Sequence, residues 1–283
     1  MKKYGFYRSV GALIAAALLT MATYGAAAGQ MEEEQDAPVT ARVPVLMYHA
    51  VTKDQSRHGK FAVSPQELEA DLQYLQNQGY TTLVMEDLID FVQQGSALPD
   101  KPVLLTFDDG NYSDYLYVWP LLQKYHMRAV LSIIGQPTDQ YSREGRTDIH
   151  YPQLTWPQIR DMLDSGAVEI QNHSYDMHGP VGALKRKNES QQAYEHRFCQ
   201  DVAKMQTLVR THLGLIPTTF AFPLGRISDG TGQCLRMLGF CASLSCTEGI
   251  NVIRQGQPDS LFLLKRVNRP HGLSAQEILK KIL

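Results

Sequence analysis

Two carboxylates stand side by side in the segment LLTFDDGNY, Asp108 and Asp109, at the end of an apolar run and just before Gly110. Adjacent like charges repel, so the pair costs stability unless a cation or a proton relieves it. Two such acids can divide labour: one ligates an ion while its neighbour takes a proton from the water bound there. Gly110 permits the bend that would let both acids face one site. The plain alternative is that Asp108 or Asp109 caps a helix starting in NYSDYLYVW.

Imidazoles follow other apolar runs. His49 closes VPVLMYH, and His173 and His178 follow AVEIQ within NHSYDMH. Two imidazoles and one carboxylate are a common catalytic metal set that leaves positions open for water and substrate. At i and i+5, His173 and His178 lie about 140° apart on a helix and on opposite faces of a strand. They converge only if the backbone between them turns, and Gly179-Pro180 fits a loop there. Otherwise a lone loop histidine is a solvated side chain.

The elements that must position these groups alternate along the chain. Apolar runs of strand length fall at 43–49, 81–85, 102–107, 129–134, 167–171, 218–223, 240–245 and 261–266. Helical patterns lie between them. SPQELEADLQYLQNQG has Ser64 as cap, Pro65 in the first turn, Glu67 completing a capping box and Gly79 as stop. TWPQIRDMLDSG runs from Thr155 to Gly166, ESQQAYEHRFCQDVAKMQTLVRTHLG is a third helix, and SAQEILKKIL opens with a box at Ser274 and Glu277. Strands of near-continuous Val, Ile and Leu are covered on both faces, and their alternation with helices implies a parallel α/β sheet, open or closed. In such folds functional groups gather at the C-terminal ends of strands, which is where His49, Asp108, Asp109, His173 and the Pro223-Leu224-Gly225 turn fall.

A formal net charge of -2 over 283 residues gives no sign of a polyanion partner, so nucleic acid is not expected. Residues 1–28 read as a signal peptide: Lys2, Lys3 and Arg8, an apolar core from Val10 to about Met21, then Ala26-Ala27-Ala28. An uncleaved membrane anchor is the alternative. Residues 29–41 read as an acidic linker and 42–283 as one domain, placing the protein outside the cytoplasm, secreted, at the cell surface or in the periplasm. Export makes Cys199, Cys234, Cys241 and Cys246 disulfide candidates. Cys241 and Cys246, on one extended run, would sit about 16 Å apart and out of reach of each other. The pairing stays open.

TFDDG, HSYDMH and FAFPLG, in this order and separation, resemble the polysaccharide deacetylases of the NodB-homology type, carbohydrate esterase family 4, over most of residues 43–283. FAVSPQELEADLQYLQNQGY and LPDKPVLLTFDDGNYSDYLYVWPLLQKY look like the branch of exopolysaccharide (poly-N-acetylglucosamine) deacetylases. The resemblance implies a distorted (β/α)7-type barrel and metal-dependent removal of acetyl groups from sugars, with Zn²⁺ first among the divalent ions. It makes Asp108 the catalytic base, Asp109, His173 and His178 the metal ligands, and the backbone near Leu224 an oxyanion donor. Pro223 and Leu224, with Tyr112 and Trp156 as stacking rings, are then substrate-binding candidates; for the two rings, ordinary core or rim packing is the alternative.

Three departures bear on the site. The usual histidine spacing is i, i+4, and here it is i, i+5, as in the exopolysaccharide branch. The motif arginine expected near FAFPLG is replaced by Ala221, so whatever orients Asp108 lies elsewhere. The usual C-terminal histidine acid has only His271 to offer, in a polar Pro-Gly loop. In the exopolysaccharide branch the motif order is permuted and an N-terminal Tyr-His supplies the acid, which selects His49. His58, His126, His150, His196 and His212 fit no motif and read as surface residues. The expected activity is N-deacetylation of an N-acetylglucosamine polysaccharide (exopolysaccharide, cell-wall glycan or chitin-type) with no stable protein partner. An O-acetyl polysaccharide esterase and an idle carbohydrate-binding protein on the same fold are the alternatives.

Overall fold

The structure is a computed structural model that describes residues 38–145 and 153–283. The expected signal peptide, residues 29–37 of the expected linker, and His150 lie outside the described residues. Twelve strands follow in chain order: β1 (Thr40–Val43), β2 (Val45–Tyr48), β3 (Ala50–Val51), β4 (Ala62–Val63), β5 (Thr81–Leu83), β6 (Pro102–Asp109), β7 (Ala129–Ile133), β8 (Val168–Asn172), β9 (Thr219–Ala221), β10 (Ala242–Leu244), β11 (Asn251–Arg254) and β12 (Val267–Asn268). Eight form one sheet in the order β10-β9-β8-β7-β6-β2-β12, with β5 also on β6. Every pairing in it is parallel, with Tyr48 beside Phe107, Phe107 beside Leu131, and Ile133 beside Asn172. β1 and β11 pair antiparallel, so Thr40 and Ala41 of the expected linker belong to a strand of the domain.

The alternation of side chains along a strand separates two cores. Leu105, Phe107, Leu131 and Ile170 join Leu68, Leu72 and Leu75 of the helix Pro65–Asn77 in one cluster. Val45, Leu104, Val130 and Ala242 form the other, closed by Leu88, Phe91 and Val92 of the helix Met85–Gln94. Leu104, Thr106 and Asp108 share a face, so the first acid of the pair projects on the side of this second core.

Three helices start at their expected caps, Ser64, Thr155 and Ser274, each with a capping box, and the third expected helix is capped by Ser190. The expected strand 81–85 is cut short. It stops at Leu83 because the Asp87 carboxylate accepts the Val84 N–H and opens a helix at Met85.

The expected strand 261–266 is not a strand. Pro258–Leu261 is a 3-10 turn and Leu263 lies in the left-handed region at φ 56°. The cause is side-chain competition for backbone donors: Ser243 Oγ accepts the Leu263 N–H and Asn251 Oδ1 the Lys265 N–H, both at 2.8 Å. The segment still closes the ring. Leu264 exchanges hydrogen bonds with Ser243 and Ser245 after β10, and Val267 then pairs with Leu46 of β2. The result is a distorted (β/α) barrel completed by an irregular strap.

Cys199, on the helix Gln191–Leu213, is bonded to Cys234, on the helix Thr231–Met237, with Cα atoms 5.8 Å apart. Cys241 and Cys246 are free. No helix among the described residues is long and apolar enough to cross a membrane.

Candidate active site

Asp108 is buried, and its partner is Arg266, from the irregular strap. Arg266 donates from Nη1 to Oδ1 at 2.7 Å and from Nη2 to Oδ2 at 2.8 Å. The guanidinium is itself aimed by the Ser245 carbonyl, which accepts from Nε at 2.8 Å, and by Thr106 Oγ1 at 3.3 Å from Nη1. Burial pushes the Asp108 carboxyl up, but the Arg266 charge and fork outweigh it, so the group is held below the usual carboxylate range. Arg266 therefore fills the role left open at Ala221, which is buried in the second core. The sequence carries a signal for it, a cation at the end of the apolar run LFLLKR.

Asp109 and Gly110 both have positive φ, 79° and 73°. This kink swings the second carboxylate away from the direction of the first. A Cβ at Gly110 would meet Ile133 Cγ2 at 2.9 Å, so the position requires glycine twice over. Holding Asp109 there costs on the order of 1–3 kcal/mol.

The two imidazoles reach Asp109 because the chain between them is bent by its own side chains. Asn172 Oδ1 accepts the Ser174 N–H, with Ser174 at φ 73°. The Asp201 carboxylate accepts the N–H groups of Tyr175 and Asp176, and Ser174 Oγ that of Met177. His178 is thereby turned back beside His173, ring centres 5.2 Å apart. Their Nε2 atoms lie 3.5 Å (His173) and 3.1 Å (His178) from Asp109 Oδ1.

This set fits a divalent cation. Asp109 Oδ1 is buried with no hydrogen-bond partner, although two nitrogens converge on it. His173 gives its Nδ1 proton to the Ala221 carbonyl at 2.9 Å, which leaves Nε2 with a lone pair facing Asp109. Burial raises the Asp109 carboxyl and the imidazoles lower it much further, so it stands ionised; the Asp109 carboxylate beside it raises His178.

These groups open into a cleft of about 340 Å³ that also contains His49, Lys60, Phe61 and Leu224. His49 follows β2, its Nδ1 buried and unpartnered, and burial pushes its proton affinity down against the pull of Asp108 and Asp109. Phe61 packs against His49 with ring centres 4.8 Å apart and is half exposed. Pro223 is buried at the start of a tight turn in which Leu224 has φ 58°. That turn is closed by the Gly225 and Arg226 N–H groups, and the Leu224 N–H has no partner among the described residues.

Two expected stacking rings are elsewhere. Trp156 is only 4 % exposed and stacks on His212 at 4.6 Å, with a core residue's surroundings and no free face for a sugar. Tyr112 lies outside the cleft, stacked on Tyr115. Phe61, which matches no motif, lines the cleft instead. His271 is bonded to Glu67, away from the cleft. His126, His196 and His212 are exposed, as expected, and His58 is half-buried.

The family model for polysaccharide deacetylases matches residues 95–243, more than half of the chain. The Bacillus subtilis (strain 168) protein YxkH is 26% identical over 234 residues, covering 83% of this chain and 74% of that one. The poly-beta-1,6-N-acetyl-D-glucosamine N-deacetylase of Escherichia coli (strain K12) is 25% identical over 260 residues, 84% of this chain but only 38% of that protein. The solved structure of IcaB from Ammonifex degensii superposes with a TM-score of 0.68 at 28% identity, covering 84% of this chain and 94% of that one. With the family model spanning Asp108, Asp109, His173 and His178, the chain belongs to the polysaccharide deacetylase family.

Proposed function

We propose that this protein is a divalent-metal-dependent N-deacetylase of an N-acetylglucosamine polysaccharide. The observation that carries the reading is the convergence of Asp109, His173 and His178 beside an Arg266-forked Asp108, in one cleft with His49.

Asp109, His173 and His178 would hold a divalent ion such as Zn²⁺, which would supply a Lewis acid for the acetyl carbonyl and for the attacking water. Asp108, kept ionised and oriented by Arg266, takes the proton from that water. The unpartnered Leu224 N–H donates to the oxyanion as it develops. His49 passes a proton to the departing sugar nitrogen, which cannot leave as an amide anion at neutral pH. Phe61, beside His49, offers an apolar face to the sugar ring that bears that nitrogen. The products are acetate and a glucosamine amine.

The substrate reading rests on the names of the Escherichia coli relative and others like it, which act on poly-β-1,6-N-acetylglucosamine. Residues 1–28 are read as an export signal, and the Cys199–Cys234 disulfide is compatible with an oxidising compartment, where such bonds persist. The test is acetate release from β-1,6- and β-1,4-linked N-acetylglucosamine oligomers, side by side with an O-acetylated glycan, with Zn²⁺ and with chelator. Metal-dependent release from the N-acetyl oligomers is expected. Release from the O-acetyl glycan alone makes the protein an esterase, and no release from metal-loaded protein makes it a binding protein.

A further inference from the structure

A second set of metal-ligating side chains lies outside the cleft. His58, Glu67 and His271 come from three separated segments, and one ligand atom from each lies within 4.8 Å of the others. His58 gives its Nε2 proton to the Thr52 carbonyl at 2.8 Å, so in the neutral ring Nδ1 carries the lone pair. This is the arrangement that fixes His173 for its metal, an imidazole aimed by a backbone carbonyl. His271 Nδ1 is 2.9 Å from Glu67 Oε2, and the two imidazoles face each other with ring centres 4.8 Å apart.

The carboxylate is held in place in advance. Glu67 Oε2 accepts from the Ser64 N–H and hydroxyl, and Oε1 from the Gly272 N–H at 2.8 Å and Arg269 Nη1 at 3.1 Å. Arg269 does not leave the neighbourhood positive, because its Nε is paired with Asp71 at 2.7 Å. Glu67, Asp71 and Arg269 together carry one net negative charge, which a divalent ion would offset.

We propose that His58, Glu67 and His271 form a second site for a divalent cation of the Zn²⁺ class. The ion fastens the segment 52–62 to the turn after β12. That segment already rests on the turn, since Gly59 O accepts the His271 N–H and Lys60 O the Asn268 amide. It also carries Lys60 and Phe61 into the cleft. An ion there steadies one wall of the active site without touching the reacting atoms.

The experiment is zinc content and melting temperature of the full chain, equilibrated with Zn²⁺ alone and desalted. Wild type is expected to hold two equivalents, and both His58→Ala with His271→Ala and, separately, Asp109→Ala to hold one. His58→Ala alone, which leaves the Glu67 capping box intact, is expected to lose the upper part of the Zn²⁺-induced rise in melting temperature while its metal-free melting is unchanged. One equivalent in wild type, or two retained after the double histidine change, overturns the second site. Loss of all zinc in Asp109→Ala overturns it as well, whereas two equivalents in wild type and one in each variant, with no deacetylation by wild type, would count against the proposed function alone.

Discussion

Arg266 and Asp108 form a two-pronged pair in which both side chains are buried and both carboxylate oxygens are engaged. The fork does two things at once: it keeps the acid ionised in a site that burial alone would neutralise, and it fixes the carboxylate plane. Removing Arg266 leaves an unpaired buried charge. Arg266→Ala is expected to lower unfolding free energy by about 3–5 kcal/mol and turnover by roughly 10²-fold. Arg266→Lys keeps the charge but not the fork and should fall between the two. Urea unfolding and kcat measured on the three proteins check this, and an active Arg266→Ala would show that Asp108 needs no such partner.

The two adjacent acids should separate by assay. Asp108→Asn keeps the zinc and loses turnover by about 10²–10⁴-fold, the range for removing a general base. Asp109→Ala loses the zinc of the cleft and with it all metal-dependent turnover. Metal content beside kcat decides the assignment; if Asp108→Asn is the variant that loses zinc, the two roles are reversed.

Phe61 is half exposed beside His49, so its role should appear in binding rather than in proton transfer. Phe61→Ala is expected to raise KM for N-acetylglucosamine oligomers, by about tenfold for the roughly 1–1.5 kcal/mol that an aromatic platform supplies. kcat should change little. Steady-state kinetics over a series of oligomer lengths provide the check, and an unchanged KM would remove Phe61 from the substrate's path.

Glu189 and Arg197 give a pH signature away from the site. Arg197 forks the carboxylate at 2.7 and 2.9 Å, and with the Arg186 N–H holds its pKa at about 2, below the ordinary 4.5. A folded-state value below the unfolded one contributes stability that is present above pH 4.5 and is lost as pH falls towards about 2. Glu189→Gln lacks this contribution throughout. Its melting temperature should therefore lie below wild type at neutral pH and approach it between pH 4.5 and 2; a gap that stays constant over that window would contradict the linkage.

The site was largely legible because its chemistry sits in short stretches. Asp108 and Asp109 end one strand and His49 follows another, each strand identified by its apolar run, and strand ends are where a parallel sheet exposes functional groups. Trp156 follows the core-packing alternative, which local sequence does not separate from stacking: a large ring has the same signature whether it lines a cleft or fills a core. The strap at 261–266 was misjudged because its backbone donors are taken by Ser243 and Asn251, residues distant in sequence that no local pattern announces.

What the sequence alone determined were the repeated strands, the helix starts at Ser64, Thr155 and Ser274, and the residues able to hold a metal and move a proton. Period, cap chemistry and side-chain type are local properties. The partnership of Arg266 with Asp108, 158 positions apart, was decided only when the ring closed, because β12 reaches β2 across the whole length of the domain. The convergence of His173 and His178 was likewise a tertiary result: the bend between them is held by Asp201, contributed by a helix that starts only at Gln191.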